Sequence, residues 1–451
     1  MRTMYTLFSF LIVGLLVLIN PVSAANPPEA VPIDIDDIFS EWDHVDSPGC
    51  AVGIYHNGQI VYEGGYGSAN LDYEKPITPE TVFYIGSVSK QFTAAAIALL
   101  IDRGDIGPGD DVRKYISELP QYERPIRVQD LVYHTSGLRD LYALMTIAEV
   151  DVAGVLSIDD KLDLIRRQND LNFLPGDEYL YSNSGYTLMA VLVKQVTGKT
   201  LREFTQKNIF EPLGMKNTHF HDNRHEVIPN RALSYQPGGD NEFKLSYLAN
   251  FEGVGPGGLY TTIGDLFLWD QNYYMNRLSH SPNFNELMHT KAILSNGDTL
   301  DYAYGLRFDE YKGLKIIGHG GSFMGFRAQY ERIPEHNYGH AILCNLGSIN
   351  PSNLSRKIID VYMKETIAQN LQEYSGSYRN KEFDVEYNIV VKQGDMYIED
   401  HSQLEGALEY SDVDTFRRAG WNVEFKRNND GEITGLMLSS ARARNVWFER
   451  I

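Results

Sequence analysis

On either side of Asn57-Gly58, the segments Cys50–Tyr55 and Gln59–Tyr66 alternate apolar and polar positions, the pattern of two strands joined by a tight hairpin turn. Ahead of them an irregular leader with Pro27, Pro28 and Pro32 gives way to a short helical stretch, Asp36 to Trp42. The period then lengthens from two to 3.6. An apolar, Ala-rich run from Phe92 to Leu100 predicts a helix headed by Ser87 and ended near Gly104, and another helix opens after Ser157. Ser184 to Thr197 reads as a helix stopped by Gly198, and Leu201 to Ile209 as one entered through a Thr200–Glu203 capping box. Strand patterning returns at Tyr302–Asp309, Leu314–Ile317, Phe326–Ile333 and His340–Asn345, with a closing helix at Asp360–Ile367. After about Ala368 the chain becomes short alternating runs separated by turns such as Gly394-Asp395 and Asp430-Gly431, which predicts a small all-β module.

Three short segments carry chemistry. In Ser87-Val88-Ser89-Lys90 the helical pitch puts a hydroxyl and an amine on one face, a nucleophile with its base one turn away. The amine can take the serine proton only if burial or nearby positive charge lowers its pKa. Further on come Tyr181-Ser182-Asn183 and His319-Gly320-Gly321-Ser322. A cluster of His219, His221 and His225 has spacing open to zinc, but it follows a surface-like turn and three converging ligands are not evident, so no metal is expected. The acidic pairs Asp36-Asp37 and Asp159-Asp160 read as helix-start and solvated charges.

In order, Ser-x-x-Lys, Tyr-x-Asn and His-x-Gly resemble the motifs of the serine β-lactamase and penicillin-binding-protein superfamily. Secondary matches at His134-Thr135-Ser136-Gly137-Leu138, Pro212-Leu213-Gly214-Met215, Gly257 to Thr262 and Tyr304-Gly305-Leu306 extend the resemblance over about residues 30 to 365. It implies an α+β fold in which strands from both ends form one antiparallel sheet flanked by helices. The tail resembles the lipocalin-like all-β domains attached to some members.

The resemblance also implies roles. Ser87 is the acyl-accepting nucleophile, and Lys90 donates a hydrogen bond and positive charge to Ser87 and Tyr181. Beside that ammonium Tyr181 becomes a plausible base, its phenolate held by the opposite charge. Asn183 offers its amide to substrate and to Lys90. Gly320 and Gly321 let the strand approach the acyl group, and the Ser322 and Ser87 N–H groups form the oxyanion hole. His319 departs from the lysine usual in antibiotic-hydrolysing members; histidine-Gly-Gly is what esterase-like and D-aminopeptidase-like relatives show. The expected activity is hydrolysis, through an acyl-enzyme on Ser87, of D-amino-acid-containing peptides or amides or small esters. A true β-lactamase and a non-turnover penicillin-binding sensor or scaffold are the alternatives. The two cysteines, Cys50 and Cys344, fall on strands that lie side by side in the resembling fold. One disulfide is open to them, but it demands a narrow Cα separation, and two buried thiols are the expectation.

Composition narrows the partners. With 451 residues and a formal net charge of −20, the chain has no basic run for nucleic acid, so a small-molecule or peptide substrate is expected, with no cofactor. Arg2, the apolar stretch Leu7–Ile19 and Val22-Ser23-Ala24 have secretory signal-peptide anatomy, with cleavage after Ala24 and no stable membrane anchor afterwards. The expected division is signal peptide 1–24, hydrolase domain 25–367 and β domain 368–451, in a periplasmic or secreted protein free to form a homo-oligomer.

Overall fold

A computed structural model describes residues 32–451 apart from 152–153, 155, 240–241, 247–251, 280–282 and 400. The signal-peptide expectation therefore lies outside the described residues. Among these, no helix is long and apolar enough to cross a membrane.

Six strands form one antiparallel sheet in the order Arg307–Tyr311, Leu314–Phe323, Phe326–Ile333, Tyr338–Cys344, Cys50–His56, Gln59–Tyr66, so both ends of the region contribute, as expected. Asn57 and Gly58 both take positive φ, the conformation a two-residue hairpin turn requires. The edge strand Gln59–Tyr66 keeps its alternation, whereas the inner strand Cys50–His56 is buried on both faces. Its two faces meet different layers. Ala51 and Tyr55 pack with the helical core around Phe92 and Trp269, while Val52 and Ile54 pack with Phe39, Ile358 and Ile359 of the helices Pro32–Phe39 and Pro351–Tyr362.

That register corrects the expectation about the cysteines. Cys50 and Cys344 are direct cross-strand partners 4.0 Å apart at Cα and are disulfide-bonded. Pairing of the two strands itself supplies the narrow separation.

The helix Lys90–Asp102 is entered through a 3₁₀ turn, Gly86–Ser89, and is buried all round from Lys90 to Leu100, as its unbroken apolar run requires. Asn183–Thr197 ends at a left-handed Gly198, and the Thr200–Glu203 capping box forms. Several elements differ from expectation: the first helix is Pro32–Phe39 rather than Asp36–Trp42, and the strand expected at Tyr302–Asp309 is Arg307–Tyr311. The strand at Leu314 runs on to Phe323, because pairing with Phe326–Ile333 holds a glycine-rich stretch of weak intrinsic β preference. The closing helix is two helices, Pro351–Tyr362 and Lys364–Leu371, the first started by an Asn350 cap and Pro351, and residue 368 falls inside the second.

The tail forms an eight-stranded antiparallel sheet from Gly376 to Arg450, curled as a half-barrel. One face buries Tyr378, Phe416, Phe425 and Phe448 in a cluster continuous with Ile367 and Leu371. Tyr410 Oη donates to Glu310 O at 3.2 Å, tying the tail to the first sheet.

Candidate active site

The 3₁₀ turn brings Ser87 to the mouth of a cleft of about 920 Å³ lined also by Tyr181, Arg307, His319, Gly321 and Ser322. Lys90, one turn along, is fully buried, and its Nζ stands 3.1 Å from Ser87 Oγ, 2.9 Å from Asn183 Oδ1 and 2.8 Å from Pro256 O. Burial drives the lysine pKa well below its ordinary value; the charge of Arg307 lowers it further, and Asp140 opposes the shift. Pro256 O and Asn183 Oδ1 can only accept. An uncharged Lys90 gives its two N–H bonds to those oxygens and turns its lone pair to the Ser87 hydroxyl.

Tyr181 differs from expectation. Its pKa is raised, chiefly by burial, although the Ser87 hydroxyl and Arg307 pull the other way. Lys90 Nζ lies over the face of the ring, 4.8 Å from its centroid. In the resting site the pair is therefore neutral phenol and depressed lysine, because desolvation of both groups outweighs their mutual attraction.

Asn183 is oriented by a residue that the motifs did not reveal. Asp140 caps the helix Leu141–Ile147, accepting from Tyr142 N and Ala143 N with Oδ1, and with Oδ2 accepts from both Asn183 N and Nδ2 at 2.7 Å. This turns the Asn183 carbonyl to Lys90. Asp-Leu-Tyr-Ala as a helix-start pattern was the available sequence signal for Asp140.

The glycines divide. A Cβ at Gly321 would stand 2.0 Å from Ile85 O, and one at Gly86, where φ is +53°, 2.7 Å from Ser322 N. The turn bearing Ser87 and the strand bearing Ser322 thus meet backbone to backbone. Gly320 is less constrained, since the close neighbour of its Cβ would be the tip of Gln329, with Ala328 O at an ordinary 3.8 Å. His319 is buried; its Nδ1 lies 2.6 Å from Gly320 O and its Nε2 3.3 Å from Tyr302 Oη, while burial and Lys90 push its pKa down to about 3. The imidazole is uncharged and both nitrogens are engaged within the protein. Of the arginines lining the cleft, Arg307, Arg327 and Arg356, the first has its guanidinium 5.6 Å from the Tyr181 ring centroid.

Elsewhere, His219 and His221 meet Glu226 rather than His225, with donor atoms within 4.8 Å of one another, while His225 is exposed. These three could hold a metal ion, but Arg202 already donates to both Glu226 oxygens, at 2.5 and 2.8 Å, so the carboxylate charge there is matched by a guanidinium.

The family model described as Beta-lactamase matches residues 36–360, and one described as a domain of unknown function, DUF3471, matches 363–450. A D-aminopeptidase of Brucella anthropi is 32% identical over 290 residues, 63% of this chain; the match spans 54% of that relative's length. The octameric penicillin-binding protein homologue of Pyrococcus abyssi superposes with a TM-score of 0.63 at 23% identity, covering 92% of this chain and 98% of that one. The D-amino acid amidase of Ochrobactrum anthropi SV3 superposes with a TM-score of 0.61 at 20% identity, covering 75% and 99%. At such identities these two likenesses establish the fold.

Proposed function

Since the chain belongs to the beta-lactamase family, we propose that it is an exported serine hydrolase that forms an acyl-enzyme on Ser87 and acts on D-amino-acid-containing peptides or amides, or small esters. The observation that carries this reading is the Lys90 amine, buried between two pure acceptors with its third contact on Ser87 Oγ. In acylation Lys90 takes the Ser87 proton as Oγ bonds to the substrate carbonyl carbon. The oxyanion falls to the Ser87 and Ser322 N–H groups, each such donor contributing about 3 kcal/mol in comparable sites. Tyr181, kept protonated by its burial, gives its proton to the leaving nitrogen or oxygen. The phenolate–ammonium pair then exists in the acyl-enzyme rather than at rest. Tyr181 regains its proton from the attacking water, and Lys90 returns its own to Ser87 Oγ when the acid departs.

D-amino-acid substrates are favoured by the D-aminopeptidase and D-amino acid amidase among the similar proteins. The octameric neighbour supports self-association, which light scattering reads directly. Assaying the purified protein against p-nitrophenyl esters, D-amino-acid p-nitroanilides and nitrocefin tests the substrate class. Turnover of an ester or D-amide with slow or no nitrocefin hydrolysis is expected, and loss of all of it in Ser87→Ala. Hydrolysis retained by a folded Ser87→Ala would falsify the reading, and nitrocefin as the best substrate would return it to a β-lactamase.

A further inference from the structure

Three buried side chains cross the floor of the cleft without touching Ser87: His134, Tyr302 and His319, at 2%, 2% and 4% exposure. The order of their hydrogen bonds follows from one fixed donor. Ser182 N–H donates to His134 Nδ1 at 3.1 Å, so that nitrogen carries no proton, and the neutral ring has its hydrogen on Nε2. His134 Nε2 then donates to Tyr302 Oη at 3.1 Å. Tyr302 has one proton to give, and His319 Nε2 stands 3.3 Å away. Accepting there leaves His319 with its hydrogen on Nδ1, which donates to Gly320 O at 2.6 Å. Tyr186 gives its own proton to Val132 O, so its oxygen is a second acceptor facing Tyr302, and the chain runs one way when the Tyr302 proton lies toward His319.

The ends of this chain are backbone groups on opposite walls of the site. Ser182 lies between Tyr181 and Asn183, and Gly320 lies two residues before Ser322. His134 grips its wall twice, since its carbonyl accepts from Leu180 N at 3.0 Å, and it holds a left-handed backbone conformation with φ of 60° to do so. The Tyr181 ring packs on it at 4.3 Å between centroids.

We propose that Tyr302 and His134 are positioning residues which, with His319, form a one-way hydrogen-bond chain tying the Tyr181-Ser182-Asn183 segment to the strand of Ser322 and so setting the width of the site. The inference rests on the acyl-enzyme reading above. It also accounts for histidine at 319. A charged lysine there has only donors and cannot receive the Tyr302 proton. The chain needs both imidazoles neutral, and the groups facing it favour that state: Lys90 and Arg307 are cationic or potentially so, and Tyr179, Tyr181 and Tyr186 are phenols, with burial the leading cause of the depressed histidine pKa values.

The test is steady-state kinetics with p-nitrophenyl acetate from pH 5 to 9 on the native protein, Tyr302→Phe, His319→Asn and the double variant, with thermal melts as a folding control. Tyr302→Phe should lower kcat roughly tenfold to a hundredfold with KM changed less than about threefold, since a misplaced oxyanion donor is felt in the transition state. Its acid limb should move to higher pH, because His319 Nε2 without a donor is more easily protonated. His319→Asn keeps a donor for Gly320 O but loses the acceptor for Tyr302, so it should reproduce the kcat loss, and the double variant should be no worse than either. Native kcat and an unmoved acid limb in Tyr302→Phe overturn the proposal, as do losses that multiply in the double variant. If Tyr302→Phe does not melt cooperatively, a native kcat in His319→Asn overturns it alone. Failure of the acyl-enzyme reading shows separately, as Ser87→Ala turning over at the native rate.

Discussion

Beneath the cleft, buried side chains include Lys90, His134, Tyr302 and His319; in the C-terminal sheet they include Tyr378, Phe416, Val423, Phe425 and Leu436. Among the described residues after Ser355, tyrosines aside, Asn380 is the one buried polar side chain. The charges of the tail stand at its surface in pairs, Arg427 with Glu373 and Asp414, and Lys381 with Glu449. Burying an ionisable group costs solvation that neighbouring hydrogen bonds only partly return, so the two regions are built to different ends. Apolar depth in the tail maximises stability. Polar depth in the cleft lowers the pKa of amine and imidazole and raises that of the phenol, so each stays uncharged over a wider pH range than in water.

Substitution at matched depth should therefore separate activity from stability. The largest effect expected is from Lys90→Met, which removes the proposed base: turnover should fall on the order of 10⁴-fold while the melting temperature holds or rises, because a desolvated amine is replaced by an apolar chain of similar length. Parallel loss of both would make Lys90 a packing residue. Phe425→Ala, at the centre of rings from Tyr374, Tyr378 and Phe416, should cost about 3–5 kcal/mol of unfolding free energy, with kcat per folded molecule unchanged. A large kcat loss in the folded variant would show that the tail shapes the site.

A subtler contrast lies in pH. With its folded pKa well below the ordinary value, Lys90 is unprotonated in the folded protein over a range where the unfolded chain still carries the proton. Stability contributed by this group therefore rises with pH across that range and is lost as pH falls through the folded pKa. Urea melts in mildly alkaline buffer should show a steeper rise with pH for the native protein than for Lys90→Met; identical slopes would mean that the amine is not depressed. The smallest effect expected is from Lys381→Ala, whose partner Glu449 is nearly half exposed: stability should change by less than about 1 kcal/mol, checked by the same melts.

The same contrast governs how much could be read from the chain. The convergence of Ser87, Lys90, Tyr181 and Asn183 was legible because one helical turn and one short segment fix their offsets, and the hairpin at Asn57-Gly58 because its turn demands those residues. The direction of the Tyr181 shift was not, since it depends on burial assembled from distant segments. Tyr302 carries no local signal among 29 tyrosines. The disulfide is not legible because strand adjacency without register does not fix a Cα separation, and the strand through Gly320-Gly321 extends beyond its sequence signal because its stability comes from its partner.

Hydrolysis by the proposed route passes through a covalent acyl group on Ser87. Acid-quenching the reaction with p-nitrophenyl acetate within milliseconds and mapping the intact and digested protein by mass spectrometry tests it. The account predicts a transient acetyl adduct on the peptide containing Ser87, formed at the rate of the nitrophenol burst and absent from Ser87→Ala. Steady turnover with no adduct at any quench time, or an adduct on another residue that survives in Ser87→Ala, would contradict it.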